Sequence, residues 1–332
     1  MATIKDVANA ANVAVSTVSL ALRGDPRVRE STRRRILEIA QELQYRPNGA
    51  ARDLKTRRTE TICVILHDLG GPFYSELLLG IQDVATANDY NTIASASIGG
   101  KNGSAVRWLL ERRVDGVIVL APEIDNETII RAAGPDLPVI VLDRDLVAKH
   151  VYSVRVDNEQ GGYKATRHLL EAGYRDIIFV SGPADTLDSE LRYRGYEMAM
   201  DEFSAKKSKR FDYMGKFTEE GGYTVGKVIA SQGTLPEAVF AANDEMAIGL
   251  MRAFGEKGIQ IPRDVAIVGF DNIRISEYVR PALTTVRQPM YDMGSVAAQM
   301  LFAALAGSSD LNPVTLPAEL IVRQSSVRGM YV

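Results

Sequence analysis
Thr3-Ile4-Lys5-Asp6-Val7-Ala8-Asn9-Ala10-Ala11-Asn12-Val13-Ala14-Val15-Ser16-Thr17-Val18-Ser19-Leu20-Ala21-Leu22 reads as two short helices separated by a tight turn. Thr3 and Asp6 stand at capping-box spacing, which gives the first helix a defined start. Ile4, Val7, Ala8 and Ala11 follow i, i+3, i+4, i+7 spacing and share one face. Asn12 falls in the turn, where it tolerates the left-handed conformation better than most residues. Val18 and Leu22 share a face of the second helix, so Val15, Ser16 and Leu20 project outward. A third helix over 30–44 is expected to bury Ile36, Ile39, Ala40 and Leu43 behind both. A pair of helices with this turn forms a helix-turn-helix, whose second helix fits the major groove of duplex DNA. The alternative is a small helical bundle with no ligand.

Charge separates the two readings. Residues 1–60 carry 12 Lys/Arg and 7 Asp/Glu, whereas the whole chain of 332 residues is at −3. A basic N-terminal module on an acidic remainder is the asymmetry of a DNA-binding head. Arg33-Arg34-Arg35 alone reads as a solvated helix face; beside the helix pair it reads as phosphate neutralisation.

The remaining 270 or so residues are long enough for two lobes of ordinary domain size. Strand-like apolar runs at 61–67, 92–96, 116–120 and 139–142, then 177–181, 238–241 and 265–270, alternate with amphipathic stretches at 74–88, 158–171, 188–203 and 244–257. That alternation predicts parallel sheets in a doubly wound α/β fold. Two such sheets joined by crossovers leave a cleft at their strand carboxyl ends, the usual ligand position.

Other chemistry has little basis in the sequence. The single cysteine, Cys63, lies in an apolar strand, and the three histidines, His67, His150 and His168, are far apart, so neither a metal site nor a disulfide is expected. Gly99-Gly-Lys-Asn-Gly-Ser lacks P-loop spacing and reads as a turn, and neither a G-x-G-x-x-G after the first core strand nor a G-x-S-x-G elbow occurs. Residues 206–210 (KKSKR) read as a solvated loop. With neither an apolar leader nor a span of bilayer length, no membrane role is expected and the location is expected to be cytoplasmic. No cofactor and no catalytic residue is assigned.

Ala2-Thr-Ile-Lys-Asp-Val-Ala, Thr17-Val-Ser19 and Tyr45-Arg-Pro-Asn-Gly-Ala-Ala-Arg-Asp-Leu54 resemble the lactose-repressor/galactose-repressor (LacI/GalR) family of bacterial transcription regulators, and the resemblance covers essentially the whole chain. It implies a helix-turn-helix head at 1–46, a hinge helix and linker at 47–59, and a two-lobed periplasmic-binding-protein-like core at 60–332. The core divides into an N-lobe (about 60–157 and 289–318) and a C-lobe (about 158–288 and 319–332). It further implies an effector-controlled repressor rather than an enzyme, binding a pseudo-palindromic operator in double-stranded DNA. The DNA-contacting set it implies is Thr3, Val15, Ser16, Thr17, Ser19, Leu20 and Arg23 in the head, with Asn48, Ala51, Leu54 and Lys55 in the hinge. Leu54 matches a leucine that wedges into the central minor-groove step, where an apolar side chain unstacks and kinks the duplex. A hinge of about eight residues is marginal as a helix in water, and Gly49 weakens it by about 1 kcal/mol relative to Ala, so it is expected to order on DNA.

The resemblance places Phe73, Asp143, Arg192, Phe217, Asn243 and Asp271 around an effector cleft, with Thr186 and Asp188 as further members. These residue types suit a carbohydrate: carboxylates and an amide pair with hydroxyls, Arg192 anchors one bidentately, and aromatic faces stack on C–H surface. Each also fits a plainer role. Asn243 and Asp271 suit turn caps, Phe73 and Phe217 suit core packing, and Asp244 suits the cap of the following helix. Thr186 replaces the basic residue of purine-binding members. In the head, Ala14 and Arg29 stand where capping serine or threonine is common, and Asp53 puts a negative charge beside the minor groove. Val15 and Leu20 favour contact with a thymine methyl over bidentate base reading. A wedge at a central step needs a symmetric partner, so a homodimer is expected, and no leucine heptad for tetramers follows 320–323. A solute-binding receptor or a sugar-acting enzyme sharing the core is the competing class, with Asp143 and Asp271 as its only candidate catalytic pair.

Overall fold
The computed structural model describes residues 2–46, 58–97, 103–111, 113–184, 186–209 and 212–328. Two compact units result, Met1–Thr59 and Glu60–Val332.

In the first unit, α1 (Ile4–Ala10), α2 (Val15–Leu22) and α3 (Glu30–Glu42) surround a small core of Val7, Ala8, Ala11, Val18, Ala21, Val28, Ile36 and Ala40. The capping box is formed: the Asp6 amide donates to Thr3 Oγ1 at 3.4 Å and the Thr3 amide to Asp6 Oδ2 at 2.8 Å. Asn12 adopts φ +49° in the turn, the left-handed geometry its short polar side chain tolerates. Ala14 and Arg29 precede α2 and α3 without any side-chain cap. Three expectations change. Leu43 lies beyond the end of α3 and is 38% exposed; Val28 and Tyr45 pack against the core instead. Leu20 turns partly inward onto the same core. Arg33 folds back, its Nη2 donating to the carbonyls of Gly24 (3.2 Å) and Asp25 (2.9 Å), so of the arginine triplet only Arg34 and Arg35 stand clear.

The second unit holds two sheets. The first sheet has six strands, β1 (Thr61–Leu66), β2 (Asn91–Ala96), β3 (Gly116–Leu120), β4 (Val139–Leu142), β5 (Val151–Val156) and β10 (Val314–Leu316), in the order β10-β5-β4-β3-β1-β2, all parallel. The second has β6 (Ile177–Val180), β7 (Ala238–Ala241), β8 (Ala266–Asp271), β9 (Thr284–Arg287) and β11 (Glu319–Ile321) in the order β11-β9-β8-β7-β6, with only β11 antiparallel. The chain passes from the first sheet to the second, back for β10, and again for β11. The interior strands β4 and β7, and β6 at the end of its sheet, are buried on both faces, which accounts for their unbroken apolar composition. The parallel α/β architecture read from the alternation is the one observed.

Helices cover both sheets: α4 (Phe73–Ala87), α5 (Ser104–Leu110), α6 (Asn126–Ala132), α7 (Asn158–Glu171), α8 (Leu187–Glu202), α9 (Glu219–Ser231), α10 (Asp244–Glu256) and α11 (Met290–Leu305). Three pairs pack closely, α4 with α11, α7 with α8, and α9 with α10. The same device joins each pair, a glycine on either helix set against the partner's backbone. A Cβ on Gly80 would sit 2.1 Å from Tyr291 O, one on Gly162 2.2 Å from Arg192 O, and one on Gly222 2.2 Å from Met246 O. Gly294, Gly195 and Gly249 return the contact from the other side. Residues 206–209 are held rather than free: Lys207 bridges Ile177, and Ser208 Oγ accepts the Phe179 amide at 3.0 Å. No helix among the described residues is long and apolar enough to cross a membrane.

Candidate functional site
A cavity of about 880 Å³ opens within the second unit, and its lining comes from segments that follow strand carboxyl ends in both sheets. All eight side chains singled out from the sequence, Phe73, Asp143, Thr186, Asp188, Arg192, Phe217, Asn243 and Asp271, lie on its wall. The volume is in the range of small-molecule sites, about 300–1,000 Å³.

Arg192 organises the wall on the side of the second sheet. Its guanidinium is 3% exposed, donates from Nε to Asn158 Oδ1 (2.8 Å) and from Nη1 to the Ala242 carbonyl (2.6 Å), and stacks 3.9 Å from the centroid of Phe270. These contacts aim it between two carboxylates: Asp271 Oδ1 lies 3.6 Å from Nη1 and Asp188 Oδ2 3.7 Å from Nη2. Asp271 ends β8 at φ +111° and accepts from Gln288 Nε2 at 2.6 Å; burial drives its carboxyl well above the usual range despite the pull of Arg192. Asp143 follows β4 at φ +46° and accepts the Val156 amide at 3.0 Å. Burial pushes it up to about 6, with Asp188 adding to the rise. One guanidinium thus serves several carboxylates that disfavour one another's charge, a surface rich in acceptors for ligand hydroxyls.

The plainer roles are partly realised in residues that also line the cavity. Asn243 caps α10, its Oδ1 accepting the Met246 amide at 3.0 Å, while its Nδ2 donates to the Phe217 carbonyl at 3.1 Å. That bond holds the Lys216–Phe217 turn, both residues at left-handed φ, with the Phe217 ring on the cavity. Phe73 opens α4 and packs edge-on to Tyr74 at 5.3 Å. Thr186 precedes α8 without capping it, its hydroxyl donating to the Pro183 carbonyl at 2.9 Å. Asp244 corrects the expectation of a helix cap. It is fully buried and accepts from Ser276 Oγ (2.6 Å), Thr285 Oγ1 (2.6 Å) and the Ile273 amide (3.0 Å), bracing the loop that follows Asp271.

Sequence reasoning missed His67, Tyr74, Glu123, Arg144, Lys216 and Glu245, which also line the cavity. For three of them a signal existed, since His67, Glu123 and Arg144 stand within three residues of a strand's carboxyl end. Arg144 fastens its neighbourhood, donating to the carbonyls of Ile124 (2.6 Å) and Ala121 (3.0 Å).

In the head, Thr3, Val15, Ser16 and Arg23 are exposed, Thr17, Ser19 and Leu20 half-buried. Arg23 folds along α2, donating to the Ser19 carbonyl at 3.2 Å and hydroxyl at 3.4 Å. Asn48, Ala51, Leu54 and Lys55, with the rest of 47–57, lie outside the described residues.

Residues 3–48 match the family described as bacterial regulatory proteins, lacI family, and residues 166–326 match the periplasmic binding protein-like domain. Catabolite control protein A of Priestia megaterium is 34% identical over 328 residues, 98% of this chain and 99% of that protein. The lac repressor dimer bound to operator and the anti-inducer ONPF superposes with a TM-score of 0.83 at 25% identity, over 98% of this chain and 99% of that one. A LacI family transcriptional regulator from Enterococcus faecium with bound ribose gives 0.73 at 30% identity, over 80% of this chain and 98% of that one. With a capped helix-turn-helix at its start, a two-sheet core behind it and a full-length relative at this identity, the chain belongs to the lacI family of bacterial regulatory proteins.

Proposed function
We propose that this chain is an operator-binding transcriptional repressor whose DNA affinity is set by a carbohydrate effector in the cavity of the core. The observation that carries this reading is the convergence of eight polar and aromatic side chains, drawn from both sheets, on one cavity. Arg192 and Asn243 donate to ligand oxygens, Asp143, Asp188 and Asp271 accept from hydroxyls, and Thr186 offers a hydroxyl. Phe73 and Phe217 cover apolar C–H faces. Thr186, standing where purine-binding relatives carry a basic residue, favours a sugar over a nucleobase.

In this reading residues 1–46 form the DNA head, with Thr3, Val15, Ser16, Thr17, Ser19, Leu20 and Arg23 toward the duplex. Residues 47–59 form the hinge, where Asn48, Ala51, Leu54 and Lys55 meet the minor groove. Residues 60–332 sense the effector and hold a homodimer on a pseudo-palindromic site. Effector favours one arrangement of the N-lobe (about 60–157 and 289–318) against the C-lobe (about 158–288 and 319–332), and that choice decides whether paired hinges insert Leu54.

A hydrolytic reading needs two carboxyls whose environments part their pKa values, one acid and one base. Asp143 and Asp271 are both pushed upward by the same cause, burial, and both lie in the field of Arg192. Both are also held by donors of the core, the Val156 amide and Gln288 Nε2, which suits fixed acceptors for ligand hydroxyls. A thermal-shift screen of sugars and nucleosides on the full chain, followed by operator-binding titrations with each hit, tests the proposal. A sugar that raises Tm and alters operator affinity is the expected result. Hits confined to nucleosides would remove the carbohydrate class, and catalysed consumption of a bound sugar would remove the pure sensor.

A further inference from the structure
On the opposite wall from Arg192 lies a three-residue relay that the effector reading has not used. Ser97, His67 and Glu123 follow the ends of β2, β1 and β3, three adjacent strands of the first sheet. Their backbone is an extension of the ladder: the Ser97 amide donates to the Leu66 carbonyl at 2.8 Å and the His67 amide to the Leu120 carbonyl at 3.0 Å. Ser97 is 1% exposed, and its hydroxyl donates to Glu123 Oε2 at 2.9 Å with the His67 carbonyl as a second acceptor at 3.4 Å. The other carboxylate oxygen, Oε1, pairs with His67 Nδ1. The two Arg144 bonds to the Ala121 and Ile124 carbonyls clamp the segment that carries Glu123. His67 and Glu123 line the cavity, whereas Ser97 stands behind them.

We propose that this relay is a second polar subsite, in which His67 Nε2 accepts a hydrogen bond from a hydroxyl of the effector. The proposal rests on the reading of the cavity as a carbohydrate site and names a specificity-determining residue in it. A carboxylate oxygen only accepts, so the pairing with Glu123 makes Nδ1 the donor. In the neutral ring that leaves Nε2 as a bare acceptor, with no bonding partner among the described residues. The side chain is 57% exposed on the cavity side of a fixed backbone. Stability alone gives weak reason for the arrangement, because a hydrogen bond at a half-exposed side chain contributes little net stability. Orientation is the better account, since a buried serine holds a glutamate that in turn fixes which nitrogen the histidine turns to the cavity. A ligand bonded both to His67 and to Arg192 touches both lobes, so the subsite also gives the effector a preference for one lobe arrangement over the other.

Two measurements on the full chain test this. With nitrogen-15 histidine, three ring systems are present, and His67→Gln assigns the one of interest. The neutral His67 ring is expected in the Nδ1–H form; a dominant Nε2–H form overturns the proposal. D-ribose and cellobiose are then titrated calorimetrically against wild type, His67→Gln and His67→Asn. The glutamine amide reaches the Nε2 position, whereas the asparagine amide reproduces only the Nδ1 donor to Glu123. The better-bound sugar is expected to lose about tenfold in His67→Asn, the value of one net hydrogen bond, and less than about threefold in His67→Gln. Wild-type affinity in His67→Asn overturns the subsite and leaves the carbohydrate reading standing. Failure of wild type to bind either sugar overturns the carbohydrate reading and, with it, the hydroxyl assigned to His67.

Discussion
The neighbours Asn243 and Asp244 divide two tasks that the sequence leaves interchangeable. Either side chain suits a helix N-cap. The backbone puts Asn243 at the extended cap position, so Asp244 becomes the first helical residue and points into the lobe, where three donors receive it. Which of the pair turns inward depends on Ser276 and Thr285, distant in sequence, and therefore could not be read locally. Asp244→Ala should leave those donors without an acceptor and cost about 3 kcal/mol or more, measured by urea unfolding; a loss under about 1 kcal/mol would show that water replaces the carboxylate. Asp143 offers a pH test. Its folded-state carboxyl is pushed from 3.8 up to about 6, so the folded protein keeps a proton that the unfolded chain releases sooner. Stability therefore falls as pH rises from about 4 to about 6 and stays lowered above that window. Asp143→Asn removes the effect and retains an acceptor for the Val156 amide. Because the side chain is partly open to cavity water, the expected gain is only about 1–2 kcal/mol at pH 7, vanishing by about pH 4. An equal gain at both pH values would assign it to packing instead of charge.

Among elements, those with strong periodicity were legible and those built on glycine or on buried hydroxyls were not. The runs at β1, β3, β4, β6, β7 and β8 declare themselves by apolar composition, and α7 and α10 by their amphipathic pattern, whereas α8 mixes polar and apolar residues around its circumference. β9 begins with two threonines that ordinarily signal a surface, yet both are fully buried, Thr284 Oγ1 donating to the Arg323 carbonyl and Thr285 Oγ1 to Asp244. α9 contains three glycines in thirteen residues, a composition that penalises a helix by propensity. Tertiary packing wins there, because Gly222 and Gly294 let helix backbones meet at a distance no side chain permits. Gly195→Ala should show this most clearly, since its Cβ would lie 2.1 Å from Glu159 O and 2.5 Å from Tyr163 N. Separating α7 from α8 should cost about 1–3 kcal/mol and shift Arg192, one turn earlier on α8, weakening sugar affinity as well. Gly233→Ala, with no atom within 4 Å of the new methyl, is the control and should be near neutral. Equal stability and affinity in both variants would dismiss the close crossing as a determinant of the site.

At the scale of the whole molecule, effector control is a coupling free energy between the core unit, Glu60–Val332, and the N-terminal unit, Met1–Thr59, that carries the head. The cavity wall draws on both sheets, and the chain passes between them at three places, so a ligand touching both walls can bias one lobe arrangement. If that arrangement also decides hinge insertion, Leu54→Ala should weaken operator binding by tenfold or more while sugar affinity without DNA stays that of wild type. Loss of sugar affinity in the variant would instead indicate a damaged core, and unchanged DNA affinity would remove the wedge. The stricter requirement is reciprocity, because a thermodynamic cycle closes whatever the path between the sites. If saturating sugar changes the operator Kd by some factor, saturating operator must change the sugar Kd by that same factor. Both sides are measurable on one preparation, by anisotropy with a labelled duplex and by calorimetry with sugar at fixed salt, since operator affinity depends steeply on ionic strength. A coupling of about 1–3 kcal/mol, or about 5–150-fold, is expected on each side. A sugar that binds the core with equal affinity in the presence and absence of operator is not the effector, however tightly it binds, because a ligand indifferent to the two arrangements shifts neither.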